Sequence, residues 1–300
     1  MAAPSYVFRG VWLPLLLLGL LDIARTRRLR SAWKVSLGVA LSFLGGHPQI
    51  LLFNLMIGGI FLLAEIIGEE RGRTRWSAGR VVRPAMIAAA GFDGVCLDPS
   101  AAEIPEMRKL EPLYKEYGLG CMVNAFPYHP DDMRPLLDFA KDFDACMVNV
   151  ISGVMPIRPE DAVPTVRRWM LEANDVGMPL LFETHRDGLL NDMYFTLQLM
   201  DLVPGMRLCA DLSHFVVDRE LRAPVPDRDQ AYIESILDRS DCLQGRIATR
   251  EQVQVPIDFP QHQQWVGIFK DWWRYGMRQW RQRNADDATL VFLCELGPPP

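Results

Sequence analysis

The sequence predicts an α/β chain: a (β/α)8 TIM barrel, incomplete at strand one, preceded by an apolar helical, membrane-like segment. Three observations carry this prediction. From Arg83 onward, short β-rich apolar runs alternate strictly with longer helix-like segments, which implies a parallel sheet with helices outside it. Polar residues repeatedly end those apolar runs, as they do where strand C-termini line a barrel mouth. The first 67 residues have neither feature and hold long apolar stretches instead.

The front of the chain, residues 1–75, contains apolar stretches at Val11 to Leu21 and Val35 to Ile67, the second broken at Gly45-Gly46-His47-Pro48. Gln49 to Ile67 has only Gln49, Asn54 and Glu65 as strongly polar residues and approaches the ~20 residues that a membrane-spanning helix needs. Val35 to Leu44 is too short to cross alone, so a helical hairpin turning at the Gly-Gly-His-Pro break is expected. Basic clusters at Arg25 to Lys34 and Arg71 to Arg80 flank the region. By the positive-inside tendency they lie on the cytoplasmic face, giving a membrane-anchored protein whose body is in the cytoplasm; the alternative is a wholly cytoplasmic protein with a soluble helical cap. Residues 35–67 bear a loose resemblance to a piece of bacterial multi-span membrane proteins. Residues 76–82 read as a linker.

The barrel occupies residues 83–300. Strands are predicted at Gly94 to Leu97, Gly120 to Ala125, Ala145 to Ile151, Pro179 to Glu183, Arg207 to Asp211, Asp241 to Ile247 and Thr289 to Leu296. Helices fall between them at Pro84 to Ala90, Ile104 to Tyr117, Pro130 to Phe143, Pro159 to Val176, Leu190 to Val203, Asp229 to Leu237 and Gln261 to Arg283. Pro130-Asp131 and Pro159-Glu160 suit a first helical turn, where the missing proline donor is unneeded and an acid complements the dipole. Seven strands leave one to be supplied, and Ile60 to Ile66 is the candidate. No GxGxxG follows any strand, which weighs against dinucleotide binding. Trp265, Trp272, Trp273 and Trp280 recur near helical spacing and are expected to pack the last helix onto the barrel.

Charge separates the two parts. Ten basic and four acidic residues precede Arg83, so of the formal −5 on the whole chain the remainder carries −11. An acidic body repels phosphate backbones, and no nucleic-acid partner is expected. Six cysteines are scattered singly without a CxxC pair, and read as small buried hydrophobes of a reducing compartment.

The polar residues that end apolar runs are Asp98, Asn124, Asn149, Glu183 with His185 and Arg186, Asp211 with His214, Gln244 with Arg246, and Glu295. Unpaired buried carboxylates are strongly disfavoured; around one divalent cation they become ligands. Carboxylates with neutral N or O donors favour Mg, Mn or Co, with Zn also admissible, over a thiolate-type site. His129 follows the third strand of the full barrel and could line the same mouth, and the loop from Val255 to Pro260, ahead of His262, could form a lid.

Phe182-Glu183-Thr184-His185-Arg186, Asp211-Leu212-Ser213-His214, Gly245-Arg246-Ile247 and the terminal Glu295-Leu296-Gly297-Pro298 together resemble the xylose-isomerase-like superfamily of sugar phosphate isomerases and epimerases, over about residues 85–300. The resemblance implies one metal held by Glu183, Asp211, Gln244 and Glu295, with Glu183 and Glu295 also moving a proton on and off the carbon beside a carbonyl, by way of an enediolate. It also implies that His185, His214, Arg246 and Asn124 bind the oxygens of a carbohydrate-like small molecule. Gln244 stands where the family has His, and an amide oxygen is a weaker ligand for soft metals. The alternatives are a catalytically lapsed barrel serving as a binding or scaffold module, a fusion product, and an endonuclease-type metal hydrolase of the same fold. Only four histidines follow Val82, which counts against the last.

Overall fold

The computed structural model describes residues 90–294. Seven strands form one parallel sheet: β1 Gly94–Leu97, β2 Gly120–Ala125, β3 Val148–Val150, β4 Leu180–Glu183, β5 Leu208–Ala210, β6 Ser240–Gln244 and β7 Val291–Leu293. Each strand pairs with the next in sequence, in the order β1 to β7, and none of the described strands pairs β1 with β7. Helices return the chain between parallel neighbours, as such connections require: α1 Ile104–Met107, α2 Glu111–Tyr117, α3 Met133–Asp142, α4 Pro159–Val176, α5 Met193–Leu202, α6 Leu212–Asp218, α7 Asp227–Leu237 and α8 Gln263–Arg283. This is the singly wound course of a TIM barrel, seen over the seven described strands.

The expected helix at Pro84 to Ala90, the candidate first strand at Ile60 to Ile66, the apolar front and Glu295 all lie outside the described residues, apart from Ala90 itself. Among the described residues no helix is long and apolar enough to cross a membrane.

Differences from the expected elements have local causes. The predicted helix Ile104 to Tyr117 is interrupted by a 3-10 turn at Arg108–Leu110, because Pro112 has no N–H to give and its ring clashes with the carbonyl four residues earlier. Strand β3 starts at Val148 rather than Ala145. The N–H of Ala145 is taken by Ala140 O at 2.9 Å, and Asp144 adopts φ 59°, so these residues finish α3 instead of opening the strand. The short helix α6 was not anticipated; its N-cap is Asp211, whose side chain accepts from the N–H of Ser213.

Alternation along the strands separates two layers inside the sheet from a face that packs on helices. Met122, Met147, Leu181, Cys209 and Cys242 form a buried apolar floor, with Cys96, Val291 and Leu293 against it. Two residues further along the same strands stand Asp98, Asn124, Asn149, Glu183, Asp211 and Gln244. The intervening residues Val123, Val148, Phe182, Ala210 and Leu243 are buried on the opposite, helix-facing side. There Phe182 stacks with Trp169 of α4 at 6.4 Å, and Trp169 Nε1 donates to Pro130 O at 2.9 Å.

The tryptophans of α8 behave as expected. Trp265, Trp272 and Trp280 are buried, and Trp273 packs edge-on against Phe292 of β7 at 5.2 Å. The cysteines are all free; Cys121, Cys209 and Cys242 are buried, whereas Cys146 and Cys294 are exposed, contrary to expectation.

Strand β1 approaches β2 so closely at their first register pair that a Cβ on Gly94 would sit 2.8 Å from Gly120 O. Gly94→Ala is expected to lower unfolding free energy by about 1–3 kcal/mol, since backbone has to move. Gly267→Ala, in open space within α8, should instead stabilise by about 0.4–1 kcal/mol. Urea denaturation of both variants checks the pair; an unchanged midpoint for Gly94→Ala would refute the close approach.

Candidate active site

The polar layer above the barrel floor is a connected network. Asn124 Nδ2 donates to Asp98 Oδ1 at 2.9 Å, Asn149 Nδ2 donates to Asn124 Oδ1 at 2.9 Å, and Asn149 Nδ2 also donates to Glu183 Oε2. Four adjacent strands thus present side chains to one another along the mouth. Glu183 is buried, so these donors offset part of the cost of removing its carboxylate from water.

Beyond Glu183 the network is ionic. Asp211, fully buried, pairs with the Arg246 guanidinium, which is only 8% exposed. Arg246 Nε also donates to Ser213 Oγ at 2.9 Å, and Ser213 Oγ donates to Asp211 Oδ1. Asp211 accepts the backbone N–H of Ser213 at 2.9 Å as well. One carboxylate therefore caps α6, fixes Ser213 and neutralises an arginine.

His214, one turn into α6, stands beside this pair, with Nε2 3.6 Å from Asp211 Oδ2 and 2.6 Å from Arg246 Nη2. Its ring lies 4.1 Å from that of His185, tilted by 55°. Burial, the neighbouring His185 and the charges of Arg246 and Arg186 push the His214 pKa down to about 2. Burial also lowers that of His185, more than the Asp211 charge raises it. Both imidazoles are neutral at physiological pH.

Glu183, His185 and His214 each bring one ligand atom within 4.8 Å of the others, a carboxylate and two neutral imidazoles that suit a divalent ion. The nearby atoms fit such an ion: His214 Nδ1 and Gln244 Oε1 are buried and find no hydrogen-bond partner. An arginine only donates, so its contact makes His214 Nε2 an acceptor and puts the ring proton on Nδ1; the N–H of Asp187 does the converse to Nδ1 of His185, at 3.2 Å. Ligation through those proton-bearing nitrogens needs the other tautomer of each ring. For His214 that tautomer turns Nε2–H toward Asp211, the carboxylate–imidazole relation that orients metal-bound histidines.

The structure thus gathers Asn124, Glu183, His185, Asp211, His214, Gln244 and Arg246 at one end of the strands. Within this set Asp211 is engaged by Arg246, and Gln244 is turned with Nε2 toward Cys209 Sγ at 3.8 Å. Glu295 lies outside the described residues. His129 is exposed, where it caps the turn before α3. The loop expected as a lid is pinned by Val255 N to Ile247 O at 3.0 Å and by His262 Nδ1 to Pro256 O at 2.7 Å. Sequence reasoning did not foresee the pairing of His185 with His214 beside Glu183. The signal was present in Glu183-x-His185, which shares a face along an extended strand end, and in Asp211-x-x-His214, one helical turn.

No protein-family model matches the sequence, and no curated protein matches it. Among solved structures the chain is similar to a xylose isomerase-like TIM barrel protein from Mycobacterium smegmatis in complex with magnesium. The TM-score is 0.52 at 16% identity, over 73% of this chain and 81% of that one. It also matches a D-allulose 3-epimerase from Methylomonas sp. (TM-score 0.46, 17% identity, 56% of this chain and 66% of that one). A D-psicose 3-epimerase from Clostridium cellulolyticum H10 matches at TM-score 0.41 and 16% identity, over 54% of this chain and 66% of that one. The chain spans just under two thirds of the length of these epimerases. The likeness to the magnesium-bound protein shows the TIM-barrel fold.

Removing one partner of a buried ion pair leaves the other charge uncompensated. Arg246→Met is expected to destabilise by about 3–5 kcal/mol, and adding Asp211→Asn should recover much of that loss. A double-mutant cycle by chemical denaturation checks this; additive losses would mean that the pair is not coupled.

Proposed function

We propose that the barrel is an isomerase or epimerase that moves a proton at the carbon beside a carbonyl of a sugar or similar polyhydroxy compound. The observation that carries the reading is Glu183, a buried carboxylate at the barrel mouth, set against two neutral imidazoles. Glu183 takes the proton, and its burial keeps bulk water from competing for it. Asn124 and Arg246 lie where they can bind substrate hydroxyls, and Glu295, by its place in the sequence, serves as the second acid–base group.

Glu183, His185 and His214 would hold a divalent ion, Mg, Mn or Co, whose Lewis acidity would stabilise negative charge developing on the substrate oxygen. The tether formed by residues 1–75, which holds the barrel at the cytoplasmic face of a membrane, belongs to the same proposal, and the sequence alone supports it.

A second reading is favoured by a specific observation. Asp211 is held by Arg246 and Gln244 replaces a histidine, as in a barrel that has lost catalysis and kept its shape for binding. Metal titration and proton exchange separate the two. The full chain is expected to bind one Mn per molecule and to exchange substrate protons with deuterated water. Glu183→Gln should keep the fold by circular dichroism and lose about 10²- to 10⁴-fold in exchange rate. His214→Ala should weaken Mn binding. A folded protein that binds no divalent ion and exchanges no proton with any ketose or aldose would leave the binding-module reading in place.

A further inference from the structure

The hydrogen bonds that reach Glu183 from β1, β2 and β3 form one series, and its far end is Asp98, a residue outside the proposed catalytic and metal-binding set. We propose that Asp98 is a positioning residue: through Asn124 and Asn149 it holds the Glu183 carboxylate in the orientation that removes the substrate proton, without touching substrate itself. The inference rests on the isomerase or epimerase reading and adds to it a residue at the end of β1, three strands from Glu183.

Donors and acceptors fix the direction of the series. An asparagine amide offers N–H groups on one side and a carbonyl oxygen on the other, whereas an ionised carboxylate only accepts. Asn149 Nδ2 is shared between Asn124 Oδ1, at 2.9 Å, and Glu183 Oε2. Turned over, the Asn149 amide would set its oxygen against both of these oxygens and repel the Glu183 carboxylate. Asn124 keeps it from turning, because the two asparagines are register partners on β2 and β3 and Asn124 directs its own oxygen at Asn149. Asn124 is set in turn by Asp98 Oδ1, which accepts from Asn124 Nδ2 at 2.9 Å and from Cys96 Sγ at 3.7 Å. A carboxylate at each end therefore admits one arrangement of the amides between them. Asn149 Oδ1, by contrast, is buried and finds no hydrogen-bond partner among the described residues. An unpaired buried carbonyl is unfavourable, so the value of this amide lies in what its N–H groups hold. The series thus runs from an exposed anchor on β1 to a carboxylate removed from water, and a base fixed against rotation by an outer hydrogen-bond partner is what proton abstraction requires.

Nuclear magnetic resonance of the full chain, labelled with nitrogen-15 at asparagine, reads the amide series apart from catalysis, with the side-chain signals assigned through Asn124→Leu and Asn149→Leu. Asp98→Ala is expected to displace the Asn149 side-chain signals by more than a linewidth, and Asp98→Asn, whose amide oxygen still accepts, to leave them near their wild-type positions. Because Asp98 is exposed, both variants should keep the wild-type urea midpoint. Proton exchange from deuterated water into D-fructose, D-ribulose and D-xylulose reads the consequence. On a sugar that wild type turns over, Asp98→Ala should lower kcat about 10- to 100-fold with KM held within about twofold, and Asp98→Asn should restore kcat to within about threefold. Unmoved Asn149 signals in Asp98→Ala, an unchanged kcat, or equal losses in Asp98→Ala and Asp98→Asn would each overturn the proposal. Displaced signals, with no exchange by wild type on any of these sugars, would uphold the amide series and sink the isomerase reading.

Discussion

The buried ion pair between Asp211 and Arg246 organises the mouth of this barrel. A carboxylate with no solvent exposure requires compensation, and Arg246 supplies it while also reaching Ser213 and His214. Because Asp211 caps α6 at the same time, the ion pair fixes where that helix begins and therefore where His214 stands. It also uses lone pairs that Asp211 would otherwise offer to a cation. The candidate donors consequently gather one strand over, at Glu183, with His185 and His214 as neighbours.

The floor beneath makes these electrostatic relations strong. Met122, Met147, Leu181, Cys209 and Cys242 exclude water from the interior, so charges above them are poorly screened. The same burial that disfavours an unpaired carboxylate keeps both imidazoles neutral, and only neutral rings have a lone pair to give. Ion pair, neutral histidines and apolar floor are thus consequences of one arrangement. Strands of period two put apolar residues in one layer and polar residues in the next.

That period is why so much was legible in the sequence. An apolar run ended by Asp, Asn, Glu or Gln is the linear image of a strand rising from floor to mouth, and β1 and β2 fall at the predicted residues because nothing local competes with it. Where a prediction failed, a competing local rule prevailed: Pro112 broke a helix, and the C-terminal closure of α3 at Asp144 and Ala145 shortened β3. The site was legible as a set and not as a network. Glu183, Asp211, His185, His214, Gln244 and Arg246 could be collected by position, but which of them partner each other depends on side-chain reach between strands. Arg246 lies thirty-five residues from Asp211, and no spacing rule connects them.

Gln244 sharpens the consequence of that pairing. Its Nε2 has only Cys209 Sγ, a weak acceptor, and its buried Oε1 has no partner at all, an arrangement that costs free energy wherever no ligand supplies a donor or a cation. A barrel kept only for its shape gains from replacing such a residue with an apolar one of similar volume, because the floor immediately below is already apolar. A buried amide oxygen without a partner, in the same polar layer as Glu183 and Asp211, therefore favours a polar occupant of the mouth. Arg246 satisfies Asp211, which leaves Glu183, His214 and Gln244 as the groups whose energetics a ligand would change most.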